Sequence, residues 1–204
     1  MAHLLSERLG IAHVSTGELF RQEIQRATAL GKAVMRYVNQ GRLVPNALVV
    51  DIMTSRLSRR LLDRGIVLDG FPRTVGQAKG LDRFLKTMRR PLCTAVYLAC
   101  PQAVLIRRLG GRRVYSRCGP IYHIRNMRPK RPNVCDRCRG PLMIRKDDQA
   151  ATIRKRLAID RVEAKPLLAY YRDADMLSRL NGGGSSTQTF PRLMQLLTRQ
   201  GWVA

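Results

Sequence analysis

Short apolar runs punctuate the chain at Ile11–Val14, Ile66–Leu68 and Thr94–Ala99, with Leu177–Leu180 as a fourth. Runs of this kind, bounded by turn residues, predict strands buried in a parallel sheet. Between them, apolar positions recur at helical spacing over Thr16–Thr28, Gly31–Gln40, Asn46–Leu62, Val75–Met88 and Pro101–Leu109. A long helix is predicted near Gln149–Ala174, and Thr189–Arg199 closes the chain with Phe190, Leu193, Leu196 and Leu197 on one face. Strands alternating with helices predict an α/β fold, a parallel sheet flanked by helices. Two features depart from that rhythm. Val114–Met143 is rich in Gly, Pro, Cys and Arg and reads as a small inserted subdomain. At the other end, Leu4, Leu5 and Leu9 already space a helical face before Gly10, with no strand ahead of them. Asn181–Thr187 reads as a flexible turn.

Composition narrows the class. A chain of 204 residues with 45% hydrophobic residues has room for one domain with a proper core. It contains no apolar run long enough for a membrane-spanning helix and no signal-peptide core, so a cytoplasmic location is expected. Five cysteines argue against a complete disulfide framework; Cys93 and Cys100, flanking an apolar run, read as reduced and buried. The formal charge of +24 predicts anionic partners. It is concentrated: residues 107–146 hold thirteen Lys or Arg against one acid, Asp136.

The sharpest motif is GIVLDGFPRTVGQA, residues 65–78. Asp69 ends a predicted parallel strand, where α/β folds place ligands. A carboxylate there can hold Mg²⁺ through its waters. Gly70 permits close backbone approach, and Pro72 stiffens a turn that presents Arg73, whose fork suits a phosphate. An Asp-Gly turn alone is ordinary; the string LDGFPRT is not. In STGELFR, residues 15–21, Ser15 or Thr16 can cap a helix, with Arg21 one turn further on. Alone, that reads equally as a plain cap with a surface Arg. Arg107, Arg108, Arg112 and Arg113 precede the insertion, and Arg145, Arg154 and Arg156 follow it. Crowded guanidiniums repel unless an anion joins them, and a polyphosphate would supply it.

With GIAHVSTGELFR, GRLVPNALV (41–49), GGRRVYSRCGPIYH (110–123), NVCDRCRGPL (133–142) and RKDDQAATIRKRL (145–157), the chain resembles adenylate kinase, the long-lid form of the nucleoside monophosphate kinase family, over essentially its whole length. The UMP/CMP-specific relative fits less well; it tends to carry Asn where Thr74 stands and has a short lid. The resemblance implies a P-loop-kinase-like parallel sheet and reversible transfer of the γ-phosphoryl of Mg²⁺–ATP to AMP, giving two ADP. It implies a core at 1–111 and 148–204, an AMP clamp at about 16–45, and a lid at 112–147 that swings shut. Thr16, Arg21, the backbone near Arg42–Val44, Gly70, Arg73 and Gln77 match the AMP pocket. Arg21 and Arg73 would grip its phosphate and Gln77 would read the adenine edge. Asp69 matches the carboxylate that orders Mg²⁺ water, and Arg108 the residue packed on the ATP base. Arg112, Arg145 and Arg156 match the guanidiniums that close on the phosphates, Arg145 and Arg156 also on the AMP side. Such a reaction needs alignment and charge neutralisation rather than a protein nucleophile. ATP, AMP and ADP are the expected partners of a monomer, with no membrane. The alternatives are a non-catalytic AMP-binding remnant and a basic nucleic-acid-binding module. The insertion has few aromatics for base stacking beyond Tyr115 and Tyr122.

Two departures from the family pattern stand out. Many relatives carry a lid zinc knot of two Cys-x-x-Cys pairs. Here Cys135 and Cys138 form one pair, but Tyr115 stands in the first-Cys position before Cys118. Zn²⁺ on Cys118, Cys135 and Cys138, completed by Tyr115, His123 or water, is one reading; a metal-free knuckle held by hydrogen bonds is the other. The second departure is that the sequence contains no G-x-x-x-x-G-K-[ST] phosphate loop. In the family that loop follows the central first strand. The sequence therefore predicts a slot between the strands at 66–69 and 94–99, a start at Met1 that is internal to the full protein, and no ATP:AMP phosphotransfer by these 204 residues. Unpaired buried backbone groups along such a slot cost roughly 1–3 kcal/mol each.

Overall fold

A computed structural model describes residues 1–40, 42–115 and 120–203. Its elements run α1 (Ala2–Leu9), β1 (Ala12–Ser15), α2 (Thr16–Gln25), α3 (Ala29–Asn39), α4 (Asn46–Thr54), α5 (Arg59–Asp63), β2 (Ile66–Asp69) and α6 (Val75–Met88). There follow β3 (Ala95–Ala99), α7 (Gln102–Gly110), β4 (Arg112–Val114), β5 (Ile121–His123), a 3₁₀ turn (Lys146–Asp148), α8 (Ala150–Asp173), β6 (Leu177–Asn181) and α9 (Ser186–Arg199). The chain forms two compact units. Met1–Met35, Val44–Ala99 and Asp160–Ala204 make the first; Arg36–Leu43 and Cys100–Ile159 make the second. The stretch 112–147 lies inside the second.

The first unit is the α/β layer. β1 pairs parallel to β2, Ser15 opposite Asp69, and β3 pairs parallel to β6, Ala95 opposite Leu177. Among the described residues no ladder joins β2 to β3. Both pairs nevertheless share one apolar cluster: Leu5 of α1 with Leu193 and Leu197 of α9, against which Val67, Val96 and Leu180 pack. The strand side chains are less enclosed than their apolar sequence predicts. β2 and β3 are half-buried, with their last residues exposed, and among the described residues each pairs on one side only.

Local chemistry explains where the helices differ from the predicted spans. The single helix predicted over Asn46–Leu62 is two. Thr54 Oγ1 donates back to the Val50 carbonyl at 2.9 Å and Ser55 Oγ to that of Ile52, drawing the backbone out of the helical ladder. Ser58 then caps α5 by accepting from the Leu61 N–H. α9 starts earlier than predicted because Ser185 and Gln188 form a reciprocal capping box. Leu5, not Leu4, is the buried residue of α1; Leu4 is exposed. Gly10 ends α1 in the left-handed region at φ 65°. Cys93 is exposed and Cys100 half-buried, correcting the expectation of two buried thiols: both lie just outside β3, in connecting backbone.

α4 and α6 pack closely through a glycine pair. A Cβ on Gly80 would stand 2.8 Å from Val50 Cγ2, and one on Gly76 would stand 2.6 Å from Asn46 Nδ2. Val49, Ile52 and Met53 of α4 and Ala78, Leu81 and Leu85 of α6 are buried. Tyr170 of α8 donates to Asp82 of α6 at 2.6 Å. That hydrogen bond and burial raise the Tyr170 pKa. A raised folded pKa means stabilisation present below the ordinary tyrosine value of about 10 and lost as pH climbs beyond it. The neighbouring Tyr171 hydroxyl is buried and has no hydrogen-bond partner among the described residues. In urea unfolding at pH 7, Tyr170→Phe is expected to cost about 1 kcal/mol and Tyr171→Phe to cost nothing or to stabilise. The reverse order would contradict these assignments.

Candidate active site

The first unit gathers one group of polar side chains at the C-terminal end of β2. Ser15, the residue before α2, makes no side-chain cap bond. Thr16 Oγ1 instead crosses to β2 and donates to the Gly70 carbonyl at 2.9 Å. Capping was the sequence expectation for this pair; the parallel register, which sets Ser15 opposite Asp69, puts the hydroxyl within reach of the turn instead. Gly70 has φ 71°. A Cβ there would stand 3.1 Å from both Thr16 Oγ1 and Arg73 Nη2, so the absent side chain is what lets the turn close.

Arg73 folds back on this turn, its Nε donating to the Gly70 carbonyl at 2.9 Å. Its Nη1 faces Asp160 Oδ1 of α8 at 3.5 Å. Arg21 lies back along α2, with Nη1 3.0 Å from where a Gly17 Cβ would be. Gln77 is buried, its Oε1 accepting from the Arg73 N–H at 2.8 Å. Asp69 is half exposed, and its Oδ2 lies 3.3 Å from His13 Nε2. An exposed strand-end carboxylate fits a water-mediated Mg²⁺ contact. Val44 is buried in this unit. Arg42 belongs to the second unit, its N–H donating to the Tyr37 carbonyl.

The second unit gathers the other guanidiniums. Arg112 makes a two-pronged pair with Asp148, Nε to Oδ2 at 2.8 Å and Nη2 to Oδ1 at 2.7 Å. Arg156 Nη1 donates to Asp147 Oδ2 at 3.0 Å. Arg108 Nη1 lies 3.8 Å from Cys100 Sγ. The anions that the crowded arginines require are thus partly internal. Asp147 and Asp148 stand within the RKDDQ string, yet their role as partners was not legible there; nor were those of Asp160, His13 and Asn46. Each depends on a side chain that tertiary structure brings close, and a lone acid or amide in the sequence signals nothing of the kind.

Also in the second unit, Tyr122 is buried with its hydroxyl 3.6 Å from Cys135 Sγ and accepting from the Asp136 N–H at 2.8 Å. The Tyr115 ring occupies the space a Gly140 Cβ would need. His123 Nδ1 accepts from the Arg125 and Asn126 N–H groups, and its Nε2 lies 3.4 Å from the Arg107 carbonyl. Cys118 lies outside the described residues. Among the described residues no group of three or more His, Cys, Asp or Glu is placed to hold a metal ion, and no helix is long and apolar enough to cross a membrane.

A nucleotide-binding α/β architecture with arginines in both units is the class these features define. The comparisons with known proteins agree. The family described as "Adenylate kinase" matches residues 1–176. An adenylate kinase of Clostridium botulinum (strain Langeland) is 41% identical over 198 residues, 97% of this chain and 92% of the relative. One from Clostridium tetani is 39% identical, covering 96% and 91%, and one from Treponema pallidum is 43% identical over 182 residues, covering 89% and 84%. The chain belongs to the adenylate kinase family, whose members are phosphotransferases acting on nucleoside monophosphates.

Proposed function

We propose that the chain serves the reaction ATP + AMP = 2 ADP and that its first unit supplies the AMP side. The observation that carries this is the convergence of Thr16, Gly70 and Arg73 on one turn at the end of β2, with Gln77 locked to the Arg73 backbone. Arg73 and Arg21 hold the AMP phosphate, Thr16 and Gly70 shape the turn against it, and Gln77 reads the base. Val44 lines the clamp through its backbone. Asp69 would hold the Mg²⁺ that accompanies ATP in this family through water, and the metal would supply charge neutralisation at the phosphates. From the second unit, Arg108 takes the ATP base, while Arg112, Arg145 and Arg156 take phosphate charge. ATP, AMP and ADP are the partners in this reading and the protein is a cytoplasmic monomer, while the phosphate loop that phosphotransfer from ATP needs is not among these 204 residues. The family match does not favour the remnant and nucleic-acid readings.

Asp160 competes in this reading. Its carboxylate faces the Arg73 fork that the AMP phosphate needs. Asp160→Asn is expected to tighten AMP binding a few-fold, most clearly at low salt, where the exposed pair is least screened. Calorimetric titration of AMP into both proteins checks it, and weaker binding by the variant would contradict it.

For the lid, the hydrogen bonds around Cys135 favour a knuckle held without metal, with Tyr115 packed on Gly140 in place of a first thiolate. Protein expressed with added zinc and purified without chelator is expected to carry far less than one Zn²⁺ per chain. One Zn²⁺ per chain by elemental analysis would instead assign Cys118, Cys135 and Cys138 as ligands.

A further inference from the structure

We propose that Asn46, on α4, is a positioning residue that fixes the sense of the Gln77 amide and thereby sets the preference for a 6-aminopurine over a 6-oxopurine; this rests on Gln77 reading the base. The orientation is anchored at both ends by backbone N–H groups, which can only donate. The Arg73 N–H donates to Gln77 Oε1 at 2.8 Å, so Nε2 is the opposite end of that amide. Nε2 then donates to Asn46 Oδ1 at 3.1 Å. The Gln77 N–H donates to Thr74 Oγ1 at 3.2 Å, so the Thr74 hydroxyl proton goes outward, to the same Asn46 Oδ1 at 2.9 Å. Asn46 Oδ1 therefore accepts twice, and its Nδ2 turns toward Gly76, where only a missing Cβ leaves room. Gln77 and Thr74 are both buried, which holds the relay away from competing water.

The consequence is chemical. The Gln77 amide keeps one spare acceptor on Oε1 and one spare donor on Nε2, in an order it cannot reverse without breaking both anchored bonds. Adenine offers an amino donor beside a ring-nitrogen acceptor, which matches. A 6-oxopurine offers an acceptor beside an N–H donor, which opposes it at both atoms. Mismatched buried polar groups are penalised far more than missing apolar contacts.

The test is calorimetric titration of AMP and IMP into the full chain and into Asn46→Ala, Asn46→Asp and Thr74→Val. The wild-type chain is expected to prefer AMP. Asn46→Asp keeps the acceptor and the preference. Asn46→Ala removes the Nε2 anchor and leaves the Arg73 N–H alone to hold the amide, so its sense is loosened: AMP binding weakens about tenfold while IMP binding holds or improves. Thr74→Val, which removes a helix cap but leaves the Asn46–Gln77 bond, should lower the melting temperature without changing the AMP-to-IMP ratio. If Asn46→Ala weakens AMP and IMP equally, or Asn46→Asp loses the preference as Asn46→Ala does, the relay is overturned. A wild-type chain that binds both nucleotides equally overturns base reading by Gln77, and the relay with it.

Discussion

Arg112→Ala is expected to lower the unfolding free energy by about 3–5 kcal/mol. The side chain of Asp148 is fully enclosed, and its two oxygens are held by Arg112 Nε and Nη2. Removing the guanidinium strands a buried carboxylate, and an uncompensated buried charge costs far more than the pair itself contributes. Urea unfolding read alongside hydrogen exchange of residues 112–114 and 148–156 measures the loss. Two controls separate charge burial from simple truncation. Arg156→Ala leaves Asp147, which water reaches, so it should cost about 1 kcal/mol or less. Replacing both Arg112 and Asp148 by Met and Leu should recover most of the stability while leaving no guanidinium for phosphate. A loss under 1 kcal/mol for Arg112→Ala would contradict the enclosed pair.

Arg73→Ala is expected to weaken AMP binding on the order of a hundredfold, since a forked, charge-assisted contact to phosphate is lost. Arg73→Lys should restore little of it, because a point ammonium cannot reproduce two parallel N–H donors. Stability should change little: the Arg73 side chain is partly exposed, and its ion pair with Asp160 is long at 3.5 Å. Equilibrium titration with AMP, beside a melting curve for each variant, distinguishes lost ligand contact from lost fold. Unchanged affinity would remove Arg73 from the phosphate site.

The sequence carried the parts of this picture that depend on local pattern. Apolar runs located all four strands of the α/β layer, and the string LDGFPRT located the turn at β2. Buried partners were not legible. The break after Thr54 came from Ser and Thr hydroxyls bonding back to the helix, which periodicity cannot register. Thr16 reads in sequence as a cap and acts in the structure as a tie to Gly70, because register between β1 and β2 decides its reach. The arginine cluster read as a site awaiting a polyphosphate, yet Asp147 and Asp148 already answer two of its charges. In the proposed reading, phosphate reaching Arg112 and Arg156 would exchange one anion for another. Asn46, an unremarkable residue between Pro45 and Ala47, gains its meaning only from the close approach of α4 and α6 at Gly76 and Gly80.

The central claim is that the first unit is the AMP side of an adenylate kinase. Calorimetric titration of AMP, CMP, UMP and GMP into the 204-residue chain tests it most directly. One AMP bound per chain, at least tenfold more tightly than the other three, is the predicted result. No saturable AMP binding up to millimolar nucleotide, or equal binding of all four, would contradict it.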